Sequence, residues 1–159
     1  MLRHDIRDLA IRNSKIAGSC DNANGPGEAA AIRLGRGVDD ILIKGNDFTG
    51  DKRPVAGALP EINASAIIAD NLGIDDREPR VASAATINLP VNPTVRIAGN
   101  TGIRTMNGGW YGRKVTLILE NGAITFGGVG GNFCAGGRFT QLVTAAFDTT
   151  YGCWRLSGS

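Results

Sequence analysis

One short pattern recurs along the chain at intervals too long for a hairpin and too short for a domain. Leu9-Ala10-Ile11-Arg12-Asn13-Ser14-Lys15-Ile16-Ala17-Gly18 matches Ile41-Leu42-Ile43-Lys44-Gly45-Asn46-Asp47-Phe48-Thr49-Gly50 position by position. Both carry an apolar pair flanking one residue, a basic residue, a small polar turn, a buried-type residue, a small residue and a glycine. Shorter copies follow at Ile67-Ile68-Ala69-Asp70-Asn71-Leu72 and Val95-Arg96-Ile97-Ala98-Gly99-Asn100. The turn residues Ser14, Asn46, Asn71 and Asn100 are therefore 32, 25 and 29 residues apart. Each copy is a period-2 strand ending in a bend where Gly or Asn accepts a left-handed backbone. Units of this length that bury their faces only against neighbours are the mark of a solenoid.

Stacking one copy above the next predicts an interior column of Ile11, Ile43, Ile68 and Ile97. It also predicts a ladder of turn amides, because identical side chains on in-register strands bond to one another. Leucine-rich repeats are excluded by the absence of a fixed Leu spacing, and helical repeats by the lack of a useful 3.6-residue apolar face. Loops leave the coils at 19–28, 51–60 and 75–79, where Gly, Pro and Asp gather. Ala31 to Leu34 reads as a further strand of the same coil. Composition agrees with a turn-rich β protein. The 23 glycines are about double average usage, and they lack the three-residue period of collagen.

From about residue 86 the texture changes. Pro90 and Pro93 interrupt any central strand. The runs Val115 to Leu119 and Ala123 to Phe126 flank Asn121-Gly122, a two-residue hairpin signal. The expected fold is all-β: a short right-handed parallel β-helix over 1–85, then a β-sandwich-like or intertwined module over 86–159.

Several function classes are excluded or disfavoured. The formal charge is +2, with Lys and Arg scattered among Asp and Glu, so no basic stripe marks a nucleic-acid partner. No apolar run reaches the roughly 18 residues of a membrane span, and the first residues lack the apolar core of an export signal. His4 is the only histidine, so no triad or multi-histidine metal site is expected, nor any cofactor. The glycines of Gly127-Gly128-Val129-Gly130-Gly131 lack the spacing and the Lys of a nucleotide loop. Cys20, Cys134 and Cys153 form no CxxC pair. Cys134 and Cys153 would meet if their strands pair, but the odd count favours reduced packing residues.

Glycan cleavage needs two carboxylates about 5–10 Å apart. Among the many acids, Asp40, Asp47 and Asp70 are the catalytic candidates, although Asp at a bend is equally explained by its backbone hydrogen bonds. Trp110, Tyr111 and Trp154 are candidate glycan-binding residues, since flat amphipathic rings suit sugar faces. The same rings serve a core or subunit interface as well. Arg104, Arg113, Arg138 and Arg155 are candidates for pairing with carboxylates of a neighbouring subunit or of an acidic capsule.

The segments Ile87-Asn88-Leu89-Pro90, Ile97-Ala98-Gly99-Asn100, Gly112-Arg113-Lys114-Val115-Thr116-Leu117-Ile118, Gly131-Asn132-Phe133, Phe139-Thr140 and Cys153-Trp154-Arg155-Leu156-Ser157-Gly158-Ser159 resemble the C-terminal module of phage tail-spike and tail-fibre proteins. The preceding region resembles the pectate-lyase-like β-helix of such spikes. The order and spacing of the words match, with one departure: the usual DG-x-x-W reads Thr150-Tyr151-Gly152-Cys153-Trp154 here. The resemblance implies a homotrimer in the virion tail, or prophage-encoded and cytoplasmic before assembly, with host cell-surface polysaccharide as partner. Some relatives bind such glycans and some depolymerise them. Three readings remain open: a structural and adhesive module, a polysaccharide lyase or hydrolase, and a non-viral secreted β-helix. The chain begins almost inside a coil, so further coils are expected before Met1.

Overall fold

The computed structural model describes residues 10–16, 31–34, 40–51, 54–57 and 66–159. Among these the chain is all-β, with fourteen strands and no helix, and it folds as two compact units, Met1–Arg77 and Glu78–Ser159. The change of unit therefore comes at Arg77, ahead of the texture change read at residue 86.

In the first unit β1 (Ala10–Arg12), β3 (Ile41–Lys44) and β5 (Ala66–Ala69) form one parallel sheet. Between them in the chain, β2 (Ile32–Leu34) and β4 (Val55–Gly57) form a second parallel pair. The register places Ile11 on Ile43 and Ile43 on Ile68. Ile43 is fully buried, as a column between two neighbouring rungs must be. The bend after each strand is left-handed: Asn13 at φ 49, Gly45 at φ 69 and Asp70 at φ 56. A β-carbon on Gly45 would lie 2.6 Å from the Asn13 side-chain oxygen, so the middle rung uses the residue that fits.

The turn ladder forms one residue further on. Asn46 Oδ1 accepts the Ser14 amide at 3.1 Å, and Asn71 Oδ1 accepts the Asn46 amide at 3.0 Å. Asn46 Nδ2 donates to Ile11 O and to Asn71 Oδ1. Asn71 Nδ2 donates to Ile43 O and Ala69 O. Both asparagines are 1 % exposed, and every one of these bonds replaces a bond to water that burial removes.

Ile97 and Asn100 do not extend this column and ladder. They belong to the second unit, where β6 (Arg80–Ala82), β8 (Thr94–Ala98) and β10 (Lys114–Leu119) form a parallel stack of their own. Ile97 sits between Val81 and Leu119, and Asn100 is exposed. The bends follow the same chemistry with other residues. Gly99 N donates to Asn121 Oδ1 at 2.7 Å and Thr101 N to Ser83 Oγ at 3.0 Å. A second parallel pair, β7 (Thr86–Asn88) and β9 (Thr105–Asn107), alternates with the first sheet. Parallel pairing therefore continues well past residue 86.

Antiparallel strands complete this unit. β13 (Leu142–Asp148) pairs with β10, and β14 (Cys153–Gly158) pairs with β13. β11 (Ile124–Phe126) pairs with β12 (Gly137–Phe139). The hairpin expected across Asn121-Gly122 is absent. Both edges of β10 are occupied, by β8 and β13, so the turn instead passes the chain to another sheet. Its residues keep their turn character, with Gly122 at φ 92 and Asn121 capping the Gly99 bend.

The core of the second unit gathers Ile97, Ile103, Met106, Leu117, Phe126 and Trp154 among others. Phe126 meets Phe133 and Phe139 edge-on at 5.7 and 5.8 Å, the geometry that opposes ring edge to ring face. Cys134 and Cys153 are joined by a disulfide with Cα atoms 5.1 Å apart. The expected reduced pair is thus corrected. Cys134 N donates to Trp154 O and Trp154 N to Asn132 O, which lays the Cys134 segment beside β14 and brings the sulfurs together.

Candidate functional site

The aromatic candidates divide by burial. Trp154 is fully buried and Trp110 is 4 % exposed, so neither ring can meet a glycan in the folded chain, and both readings are corrected. Trp154 donates its indole N–H to Met106 O at 2.7 Å and packs edge-on against Phe147 at 5.1 Å. Trp110 is covered by the guanidinium of Arg113, whose central carbon lies 4.0 Å from the ring centre. Arg113 donates to Gly108 O and Pro90 O. It is itself 3 % exposed, and burial lowers its pKa to about 9. It remains a cation at neutral pH, held by carbonyls and indole faces in place of a carboxylate.

Tyr111 is the exposed member, at 61 %. It lines an open groove of about 410 Å³ with Gly112, Ala146, Phe147, Asp148, Thr149 and Arg155. Two elements build this groove. Gly112 at φ 80 and the anchored Trp110 fix the approach to β10. On the other side, the turn between β13 and β14 sets Asp148 opposite Cys153 and Ala146 opposite Arg155.

Asp148 organises that turn. Its Oδ1 accepts the amides of Thr150 at 2.9 Å and Tyr151 at 3.3 Å, and its Oδ2 accepts Arg155 Nε at 2.7 Å. Arg155 Nη2 also lies 2.7 Å from Oδ2. The Arg155 hydrogen bond first, then the two amides and the Arg155 charge, hold the Asp148 carboxyl below its usual value of 3.8, against a smaller opposing effect of burial. Arg155 in turn lies 5.7 Å from the centre of the Tyr151 ring, which is 73 % exposed. Tyr151 is, like Tyr111, an aromatic that the sequence offers for a sugar face or an interface, whereas Asp148 and Thr149 carry no such expectation. The signal was present in Asp148-Thr149-Thr150-Tyr151-Gly152, where an Asp opening and a Gly closing mark a turn whose exposed residues crown adjacent strands.

The catalytic candidates lie in the first unit. Asp47 and Asp70 line one shallow groove of about 430 Å³ with Asn13, Ser14, Lys15, Gly45, Asn46 and Leu72. Asp40 does not line it, and stands exposed at φ 50. Asp47 accepts the amide and hydroxyl of Thr49 at 2.9 and 2.7 Å, with Lys15 at 3.9 Å. The Thr49 amide and hydroxyl chiefly, and Lys15 further, hold its carboxyl below 3.8. Asp70 pairs with Lys44 at 3.1 Å. A carboxylate stabilised as the anion, as Asp47 is, is a poor proton donor at neutral pH; Asp47 and Asp70 sit at bends and pair with lysines. Asp75 goes the other way: burial raises its carboxyl, against hydrogen bonds from the Asp70 and Asn71 amides that lower it. His4 and Cys20 lie outside the described residues. No group of three or more metal-ligating side chains occurs among the described residues. Set against protein-family models, curated proteins and solved structures, the chain matches none of them.

Proposed function

We propose that this chain is the structural and adhesive C-terminal part of a homotrimeric phage tail-spike or tail-fibre, supporting trimer assembly and recognising a host-surface glycan. In this reading the strands that alternate between two parallel sheets wind as a right-handed β-helix. Support for the hand is general: a parallel crossover within one sheet is right-handed in about 98% of cases.

The observation that carries the assembly reading is the outward row of β1, β3 and β5. There Ala10, Leu42 and Ile67 stand in register, with Ile67 57 % exposed, and Leu72, also 57 % exposed, lies beyond the bend. A contiguous apolar row on an otherwise polar sheet face calls for a partner, and identical copies supply one. The Tyr111 groove supports the adhesive reading. An exposed ring beside a fixed Asp148–Arg155 pair combines a stacking face with oriented polar groups, as sugars require.

The adhesive reading is tested by retention of the purified chain on intact bacterial cells. Tyr111→Ala is expected to weaken retention by about fivefold, and Asn100→Ala, at an exposed position outside both the groove and the apolar row, to leave it unchanged. Equal retention of all three proteins would remove the groove as the contact point.

A further inference from the structure

We propose that the Tyr111 groove takes an acidic polysaccharide, with Lys114 and Arg155 receiving anionic groups of neighbouring sugars. The inference rests on the glycan reading of this groove and adds the class of glycan and an unassigned residue. The register sets Lys114 opposite Ala146 and Ala146 opposite Arg155. These three residues form one row across β10, β13 and β14, and Ala146 and Arg155 line the groove. Lys114 is exposed while the next residue, Val115, is buried, so the lysine stands on the outward face. Strands lie about 4.8 Å apart, which puts the two cations' backbones roughly 10 Å from each other. The small Ala146 side chain leaves the space between them open.

The charges around the groove do not cancel. Asp148 is matched by Arg155 through Nε and Nη2. Lys114 has no carboxylate partner among the described residues. On this outward face one anion, Asp148, thus stands with two cations, Arg155 and Lys114, and a neutral sugar leaves that excess unused. A uronate-type chain places its ring face on Tyr111 and its carboxylates toward Lys114 and the guanidinium edge that Asp148 does not occupy.

Binding of polygalacturonate, alginate and hyaluronate, with dextran as the neutral probe, tests this by titration calorimetry. At least one acidic probe is expected to bind, weakening about tenfold or more between roughly 50 and 500 mM NaCl. Lys114→Ala should weaken it about fivefold, Lys114→Arg should retain it, and Tyr111→Ala should weaken it too. Salt-insensitive, Tyr111-dependent binding of dextran would overturn the acidic class while leaving the glycan reading in place. Acidic binding indifferent to both Lys114→Ala and Tyr111→Ala would show diffuse attraction and overturn the inference. Failure of all four probes would overturn the inference and remove the support that glycan binding lends to the adhesive reading.

Discussion

The side chain of Asn46 serves both neighbouring rungs, accepting from Ser14 and donating to Ile11 O and Asn71 Oδ1. Removing it takes a donor from the buried Asn71 Oδ1 and the side-chain partner from the part-buried Ser14 N and Ile11 O. Asn46→Ala is therefore expected to cost about 3 kcal/mol, measured as a lowered urea midpoint. Asn100→Ala, at the exposed position that the repeat also marks, should stay within about 0.5 kcal/mol. Equal effects would deny the ladder its role. A second residue-scale expectation concerns Asp148. Its folded pKa is lowered, so the ionised form favours the folded turn. That contribution is complete above 3.8 and is lost as pH falls through the lower folded value. An NMR titration should find Asp148 titrating below 3.8, and a value at or above it would contradict the Arg155 pairing.

At the scale of elements, a strand's pairing depends on which edges its neighbours leave open. Ile11 and Ile43 were legible because period-2 alternation fixes which face turns inward, and identical bends fix the register. The Asn121-Gly122 turn was misread because a dipeptide specifies a bend and not the partner of the strands beside it; β8 and β13 had already taken both edges of β10. Trp154 was misjudged for a related reason. A ring's chemistry is the same in a core and on a surface, and only the sheet's inward face, shared with Val143 and Ala145, decides. The Cys134–Cys153 bond was hidden because pairing across 19 residues depends on the Cys134 segment lying beside β14. Reduction should lower the stability of the second unit by about 3 kcal/mol and loosen the Asp148 turn. An unchanged denaturation midpoint in reductant would show that the strands alone hold it.

For the whole molecule, the sheets of the described residues end in edge strands and carry an apolar outward row. β5 and β1 are edge strands of their sheet, and β6 and β14 of theirs, and exposed edges invite pairing unless something blocks it. Ile67 and Leu72 add apolar area on the outward face. In the proposed trimer, three copies packed about a common axis would cover this apolar row. Sedimentation equilibrium of the intact chain at micromolar concentration measures this assembly without a label or a ligand. It should return three times the 16.6 kDa of one chain, with Ile67→Lys shifting the distribution toward monomer. A single species at the mass of one chain, unchanged by Ile67→Lys, would contradict the proposed trimer.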